Sequence, residues 1–541
     1  MKTIIKNMLT VATITVISSV MTSCGDDFLD ATNPNQPSAD TFWQTPEDAL
    51  MGLTACYDGL QSPYLYRDDV DGEVTGECFG QFMRETSTDN GDHTWGSWMT
   101  GSSIVMCTSS TTDYSFRCFW NGSYEVIKRC NLLIANIEKC GVDEDVAKRY
   151  KAEATVIRSL MYTNLIVKFR DIVYLTEAQT LSNSKAAKTP REEAVKAVME
   201  SLKAVAPDLP TVGTEETGHL TREAAYSVLG RIALYNQLWD EAISAYNNVI
   251  GKVSLFKAGD GSDYYSNFAQ LFTEANETHP EILFSVHFKG PGLKEGNVNY
   301  SWGMPLNALE ASLNLAEDFY CTDGKPWYES SVYDGPAVYS ASCTEEEQIK
   351  HWSNRDPRFH VTLWTTGDYW PNPDLANNAA RSTVHFLKFY VPDNVANEYD
   401  GGLDFYIIRY PEVLLSMAEA LVEKGASQSE ITKYVNEVRA RVGMPSVESV
   451  EGSSLTQDEL RKIVRHERRV ELAFEDHRLN DIMRWDDFEG ALQRMKDDEK
   501  VLGRTYSVQR GNSRGVREKV FPIPQSEIDT NPLLVQHDEW K

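Results

Sequence analysis

Hydrophobic residues recur at helical spacing through both ends of the chain and lose that rhythm in the middle. Thr45-Pro46-Glu47-Asp48 opens the first predicted helix, with a capping threonine and a proline in the first turn. A second helix is predicted from Trp120 to Cys140. A third runs from Ala147 to Phe169, with Ala154, Ile157, Leu160, Met161 and Leu165 at core spacing. Thr189-Pro190-Arg191-Glu192 is expected to cap a fourth, which ends before Pro207.

The clearest internal unit follows. Between Thr221 and Ile250, the residues Leu229, Gly230, Ala233, Trp239, Ala242, Tyr246 and Val249 stand at offsets that resemble a tetratricopeptide repeat. In that motif small residues let two antiparallel helices pack closely. Pro411–Glu423 with Gln428–Val442 is a looser second pair, and Gln457–Phe474 is a long amphipathic helix. From about Lys252 to Phe405 the chain is rich in Gly, Pro, Asn, Asp and aromatics, and Glu281–Phe288 alternates like a strand. Leu293–Met304 and Pro371–Ala380 read as loops, and Tyr64–Asp113 is similarly irregular. The length of 541 residues would hold about three or four average domains, but no Pro, Ser or Gly tract divides it. The expected fold is therefore mainly α: one unit of tetratricopeptide-like helix pairs with long loop-rich insertions. The scaffold spans about 40–62, 117–251 and 405–541, and the insertions about 63–116 and 252–404.

The first residues change where this unit is expected to work. Lys2 and Lys6 precede a segment, Asn7–Gly25, without Asp, Glu, Lys or Arg. Its apolar stretch is shorter than the roughly 20 residues a bilayer-spanning helix needs and has the layout of a secretory signal. Cys24, after Met21-Thr22-Ser23 and before Gly25-Asp26-Asp27, looks like the acceptor cysteine of a bacterial lipobox. Residues 1–23 are thus expected to be a signal peptide, and Cys24 the lipidated N-terminus of the mature 24–541 chain. The formal net charge is −28, and losing the two leader lysines makes the mature chain more acidic still. Such a surface argues against nucleic acid and anionic lipid as partners. Arg465-His466-Glu467-Arg468-Arg469 is the densest basic run, and it is interrupted by acid. Eight cysteines remain besides Cys24. Export permits disulfides, but sequence does not pair them, and no C-x-x-C occurs.

Enzyme motifs fail one by one. His466-Glu467-Arg468-Arg469-Val470 starts like H-E-x-x-H but ends in valine. Neither a phosphate-binding G-x-x-x-x-G-K-[ST] loop nor a G-x-S-x-G elbow occurs. Asp69, Asp71 and Gly72 lack a carboxylate where Arg67 stands, and Asp89-Asn90-Gly91-Asp92 reads as a polar turn before it reads as a calcium loop. No catalytic residue and no cofactor is expected, and a structural calcium has no complete motif.

Several strings, in order, carry a resemblance. They are Ser23-Cys24-Gly25-Asp26-Asp27-Phe28, Arg158-Ser159-Leu160-Met161-Tyr162, Arg355-Asp356-Pro357-Arg358-Phe359 and Arg409-Tyr410-Pro411-Glu412. Val438-Arg439-Ala440-Arg441, His466-Glu467-Arg468-Arg469-Val470-Glu471-Leu472-Ala473-Phe474-Glu475 and Phe521-Pro522-Ile523-Pro524 follow. The chain resembles the SusD/RagB-type nutrient-binding lipoproteins of the Bacteroidetes outer membrane. That resemblance implies a lipid-anchored, non-enzymatic protein on the outer face of the outer membrane. It implies capture of oligosaccharide or polysaccharide and delivery to a SusC-like TonB-dependent transporter. The strings themselves read as scaffold: Arg468, Arg469, Glu471 and Glu475 share a helix at ion-pair spacing, and Arg478 and Arg484 bridge neighbouring helices.

Ligand contacts are expected in the insertions. Trp95 and Trp98 lie in a polar, glycine-rich stretch with Arg84, Asn90 and Asp92, and Tyr300 and Trp302 lie in a second such stretch. Aromatic faces suit the apolar faces of sugar rings, and neighbouring amides, carboxylates and guanidinium groups suit the hydroxyls. Trp327, Tyr328, Trp352, Trp364 and Trp370 are further aromatics of the middle segment. Two other readings compete with glycan capture: a peptide-binding uptake lipoprotein of the same fold and, more remotely, a surface glycoside hydrolase, which needs two carboxylates flanking a cleft.

Overall fold

The computed structural model describes residues 42–67, 80–93, 102–105, 108–180, 183–290, 292, 296–297, 309–368, 384–390, 400–506 and 519–541. Residues 1–41, Cys24 among them, lie outside them. Helices α1 (Pro46–Asp58), α2 (Tyr114–Asn136), α3 (Glu144–Phe169), α4 (Arg191–Val205), α5 (Arg222–Tyr235) and α6 (Trp239–Tyr246) pack each on the next. Then α7 (Tyr410–Glu423) packs on α6, and α8 (Gln428–Arg441) and α9 (Gln457–Glu471) both pack on α7. α10 (Arg478–Trp485) and α11 (Phe488–Leu502) follow.

Local chemistry explains most of these helices. Thr45 and Asp48 form a reciprocal capping box on α1, and Thr456 and Glu459 form another on α9. The tetratricopeptide-like pair α5–α6 closes on Gly230, where an added Cβ would lie 2.3 Å from the Tyr246 ring. Only a residue without a side chain permits that approach. Arg231 of α5 then pairs with Glu412 of α7 at 2.5 Å, both buried, and ties the first helix pair to the second.

Two local expectations are corrected. Thr189 does not cap α4. It exchanges backbone hydrogen bonds with Ile172, Pro190 takes the cap position, and the Arg191 amide donates to the Asp171 carboxylate at 3.0 Å. The cap is a tertiary one, invisible to a local pattern. The charges of the α9 string do not pair along their helix either. α9 ends at Glu471, and Glu475 lies beyond it.

Their partners come from elsewhere in the chain. Arg409 reaches Glu281 and Glu475 at 2.7 Å and Glu471 at 3.1 Å, and Arg441 reaches Glu281 at 3.0 Å and Glu471 at 2.5 Å. Arg358 pairs with Asp356 and Glu467, and Lys388 with Glu475. All these groups are buried. Burial by itself would raise the Glu471 pKa, but Arg441, Arg409 and Arg358 outweigh it and hold that carboxyl well below the ordinary range. This cluster joins the middle segment to α8 and α9. Arg478 bonds Asp89, and Arg484 pairs with Glu419 of α7, so those two arginines bridge elements as the spacing implies.

The middle segment supplies strands. β2 (Ile282–Val286) pairs antiparallel with β6 (Phe405–Arg409), which leads directly into α7. A second, antiparallel sheet has the order β1 (Gly91–His93), β3 (Leu309–Ala311), β5 (Val384–Phe386), β4 (Leu363–Thr365). It draws one strand from the stretch before α2 and three from the stretch between α6 and α7. The segment read as irregular, Tyr64–Asp113, therefore holds β1 and a short helix, Gln81–Thr86. Beneath the sheet, Phe82, Phe474 and Phe386 stack in a column with centroids 4.2 and 4.1 Å apart.

Candidate ligand-binding surface

Trp95, Trp98, Tyr300 and Trp302 lie outside the described residues, but their attachment points do not. β1 and β3 run antiparallel with His93 opposite Leu309 and Gly91 opposite Ala311. The segment after His93 carries Trp95 and Trp98, and the segment before Leu309 carries Tyr300 and Trp302. Both are thus tethered to one end of one strand pair. The segment with Trp370 joins β4 to β5, and Thr365 pairs with Val384 at the opposite end of the sheet.

Backbone packing defines where β1 lies. A Cβ at Gly91 would come within 2.7 Å of the Glu310 carbonyl oxygen and 2.8 Å of the Thr86 methyl, so glycine alone fits against β3 here. The turn before β1 is held by arginines from the C-terminal helices. Asp89 accepts from Arg478 at 2.7 and 2.8 Å and from Arg494 at 2.6 Å, and the Arg469 guanidinium lies 3.4 Å away. Burial opposes ionisation of Asp89, but Arg478, Arg469 and Arg494 prevail and hold its carboxyl well below the usual range. Arg469 also donates to the Asn90 side-chain oxygen at 2.8 Å and to the Asp89 carbonyl at 3.1 Å.

These contacts correct part of the expected site. Arg84, Asn90 and Asp92 are fully buried. Arg84 binds Asp476 at 2.6 Å and donates to the Leu65 carbonyl at 2.7 Å. Asn90 donates to Glu85 at 2.7 Å while accepting from Arg469. Asp92 sits inside the strand pair opposite Glu310. Their polar groups serve the frame that carries the aromatic segments rather than an open cleft. Glu85 belongs to the same frame, and burial pushes its pKa up to about 7. Sequence reasoning missed the supporting residues Asp476 and Arg494 and did not give Arg478 its partner Asp89, because the bonds span hundreds of positions.

The other aromatics divide cleanly. Trp352 stacks on Phe359 in the core, and Trp364 is buried against His385. Trp327 packs edge-on against His351, while Tyr328 beside it is 68 % exposed. Of the described grooves, one of about 180 Å³ lies between β2 and the turn before α5, past His219, His279 and His287, and others lie on the helical scaffold. One of about 770 Å³ runs between α4 and the α5–α6 turn, past Arg191, Lys196, Met199, Tyr235 and Leu238. Another, of about 420 Å³, is lined by Trp120, Tyr124 and Leu175. Among the described residues no group of His, Cys, Asp and Glu is placed to hold a metal ion. In the partial zincin string, His466 stacks on Tyr320, and Glu467 is taken by Arg439 and Arg358.

The family model for the SusD family matches residues 269–540, half of the chain. A second model, described as starch-binding and associating with the outer membrane, matches residues 67–234. The chain belongs to the SusD family, a family of binding proteins and not of enzymes, associated with the outer membrane. SusD-like protein P2 of Formosa agariphila is 27 % identical over 437 residues, 78 % of this chain and 79 % of its own. SusD-like protein P38 of the same organism is 22 % identical over 495 residues, 88 % of this chain and 91 % of its own.

Among solved structures, a SusD-like carbohydrate-binding protein from Bacteroides fragilis superposes with a TM-score of 0.76 at 24 % identity, over 92 % of this chain and all of that one. A laminarin-binding SusD-like protein gives 0.63 at 21 % identity over 92 % of this chain and all of its own. Surface glycan-binding protein A from Bacteroides uniformis gives 0.68 at 20 % identity with the same coverage. These superpositions establish the mainly α, SusD-like fold of this chain.

Proposed function

We propose that this protein is a cell-surface glycan-binding lipoprotein, anchored through a lipid on Cys24, that captures oligosaccharides and delivers them to a SusC-like TonB-dependent transporter. The observation that carries the binding reading is the shared attachment of two aromatic-bearing segments. Trp95 and Trp98 follow His93, Tyr300 and Trp302 precede Leu309, and His93 and Leu309 are strand partners. Two separate stretches tethered at one rigid edge can present several ring faces to one sugar chain. The solved relatives whose names record carbohydrate, laminarin or surface-glycan binding support the ligand class. The acidic chain suits a neutral glycan. An open site of this kind leaves much of the ligand in water, so affinity per site is modest.

The test is a binding screen of the 24–541 chain carrying Cys24→Ser against a glycan panel. Affinity gels and calorimetry measure binding, and the same mixtures are assayed for released sugar. Saturable binding to one glycan class without release is the expected result. Each of Trp95→Ala, Trp98→Ala and Trp302→Ala is then expected to weaken binding by about 1–2 kcal/mol, or roughly ten-fold, with the helical content unchanged. Normal binding by all three variants would place the site elsewhere. Binding of peptides instead of glycans would favour the groove beside α4 as the ligand site, and sugar release would mean hydrolysis. Co-purification of the lipidated protein with an outer-membrane transporter tests the delivery step.

A further inference from the structure

Helices α1 and α2 approach each other over two glycines, Gly52 of α1, which the Trp43 ring also covers, and Gly59 at its C-terminal end. A Cβ on Gly52 would lie 3.2 Å from Leu133, and one on Gly59 would lie 2.9 Å from Val126. The two contacts set an antiparallel register, because moving up α1 from Gly52 to Gly59 moves down α2 from Leu133 to Val126. Cys56 is four residues after Gly52 and three before Gly59, so it points from the same face of α1. Cys130 is three residues before Leu133 and four after Val126, and it points from the matching face of α2. The register therefore sets Cys56 opposite Cys130. At the same level, Arg129 donates to the Ala55 carbonyl at 2.9 Å and to the Asp58 carboxylate at 2.6 Å. Both sulfurs are fully buried and carried as free thiols, and the Cys56 thiol donates to the Gly52 carbonyl at 3.2 Å.

We propose that Cys56 and Cys130 are a disulfide pair, closed when the chain reaches an oxidising compartment. Disulfide geometry demands Cα atoms about 4.4–6.8 Å apart, a separation that ordinary helix packing exceeds and that glycine-lined packing can reach. The neighbouring Cys130 thiol, and after it burial, raise the pKa of Cys56 in the folded protein. The thiols are shielded once the helices have closed, so the bond forms while α1 and α2 are still docking. One thiolate attacks the disulfide of an envelope thiol oxidase, and the second thiolate displaces that oxidase from the mixed disulfide. Two S–H bonds break, one Sγ–Sγ bond forms, and the two electrons and two protons leave in the oxidase's new dithiol. The crosslink closes the loop that contains β1 and its arginine-bound turn, and loops of this length gain most from closure. Cys140 sits in the turn after α2, and Cys343 bonds within its own loop, to Val338 and Ser340.

The proposal rests on export of the chain and not on what it binds, so its failure and that of the glycan reading are separable. The full chain carrying Cys24→Ser is secreted into a bacterial periplasm and purified without reductant. Denatured protein is alkylated with iodoacetamide, digested with trypsin and weighed. The expected product is the peptide Cys130–Lys139 joined to the peptide that ends at Arg67 and carries Cys56, about 2 Da lighter than the two reduced peptides together. Reduction releases both, and Cys56→Ser leaves Cys130 open to alkylation. A second sample, reduced in denaturant and refolded in a glutathione redox buffer, is expected to give the same linkage. Alkylation of both cysteines in both preparations, or linkage of Cys130 to any other cysteine, would overturn the pairing.

Discussion

Asp89 is the residue whose removal tests most directly how the candidate surface is held. It accepts both Arg478 bonds and one from Arg494, with Arg469 close by. Arg478 and Arg469 are more than nine-tenths buried, whereas Arg494 is a third exposed and keeps a 2.6 Å pair with Asp487. Arg469 keeps Asn314 and Asp318 as partners. The cost of Asp89→Ala therefore falls on Arg478, a buried cation left without its carboxylate. Stranding one partner of a buried pair costs about 3–5 kcal/mol. The exposed Arg494 arm adds about 0–1 kcal/mol.

Urea unfolding of the mature chain at neutral pH, followed by circular dichroism, is expected to report that loss. Asp89→Asn, which keeps acceptor and volume but not charge, is expected to lose about 1.5–3 kcal/mol. Arg478→Met alone is destabilising, but combined with Asp89→Ala it is expected to recover part of the loss, because no buried charge is then stranded. The sign with pH is also set. The Asp89 carboxyl is depressed in the folded state, so its contribution is complete above the unfolded pKa of about 3.9 and disappears as pH falls through the lower folded value. Asp89→Ala within 1 kcal/mol of the parent, or a double variant whose losses simply add, would refute this account.

Other outcomes follow from the same contacts. Gly230→Val forces a branched side chain into the Tyr246 ring and is expected to cost at least about 1–3 kcal/mol, read as a lowered unfolding midpoint; an unchanged midpoint would mean that α5 and α6 do not pack as described. Glu85, with its pKa raised to about 7, binds its proton more tightly folded than unfolded, so the parent loses stability as pH rises from about 4.5 to 7. Glu85→Gln keeps an acceptor for Asn90 and Phe474 and is expected to flatten that loss, by up to about 3 kcal/mol at pH 8, which pH-dependent thermal unfolding measures.

The helical scaffold was legible because its rules are local. Caps such as Thr45–Asp48, the small residue at Gly230 and apolar spacing along α3 act within a few residues, and each predicted helix appears, although α2 starts six residues before the expected Trp120 and α9 stops three short of Phe474. The family strings were legible too, but not their meaning. Glu471 read as one of several charges paired along a single helix, and only the fold shows it buried together with Arg409, Glu281 and Arg441. Such pairs form between residues far apart in sequence, and no local period encodes them. The same holds for Arg84, Asn90 and Asp92, whose polar types suggested ligand contact until burial assigned them to the frame. It holds for Thr189, displaced as a cap by Asp171. The aromatic segments could be named from composition. That two of them hang from one end of a strand pair is a matter of register, His93 opposite Leu309, and register between strands more than two hundred residues apart is decided by the packing of the whole chain.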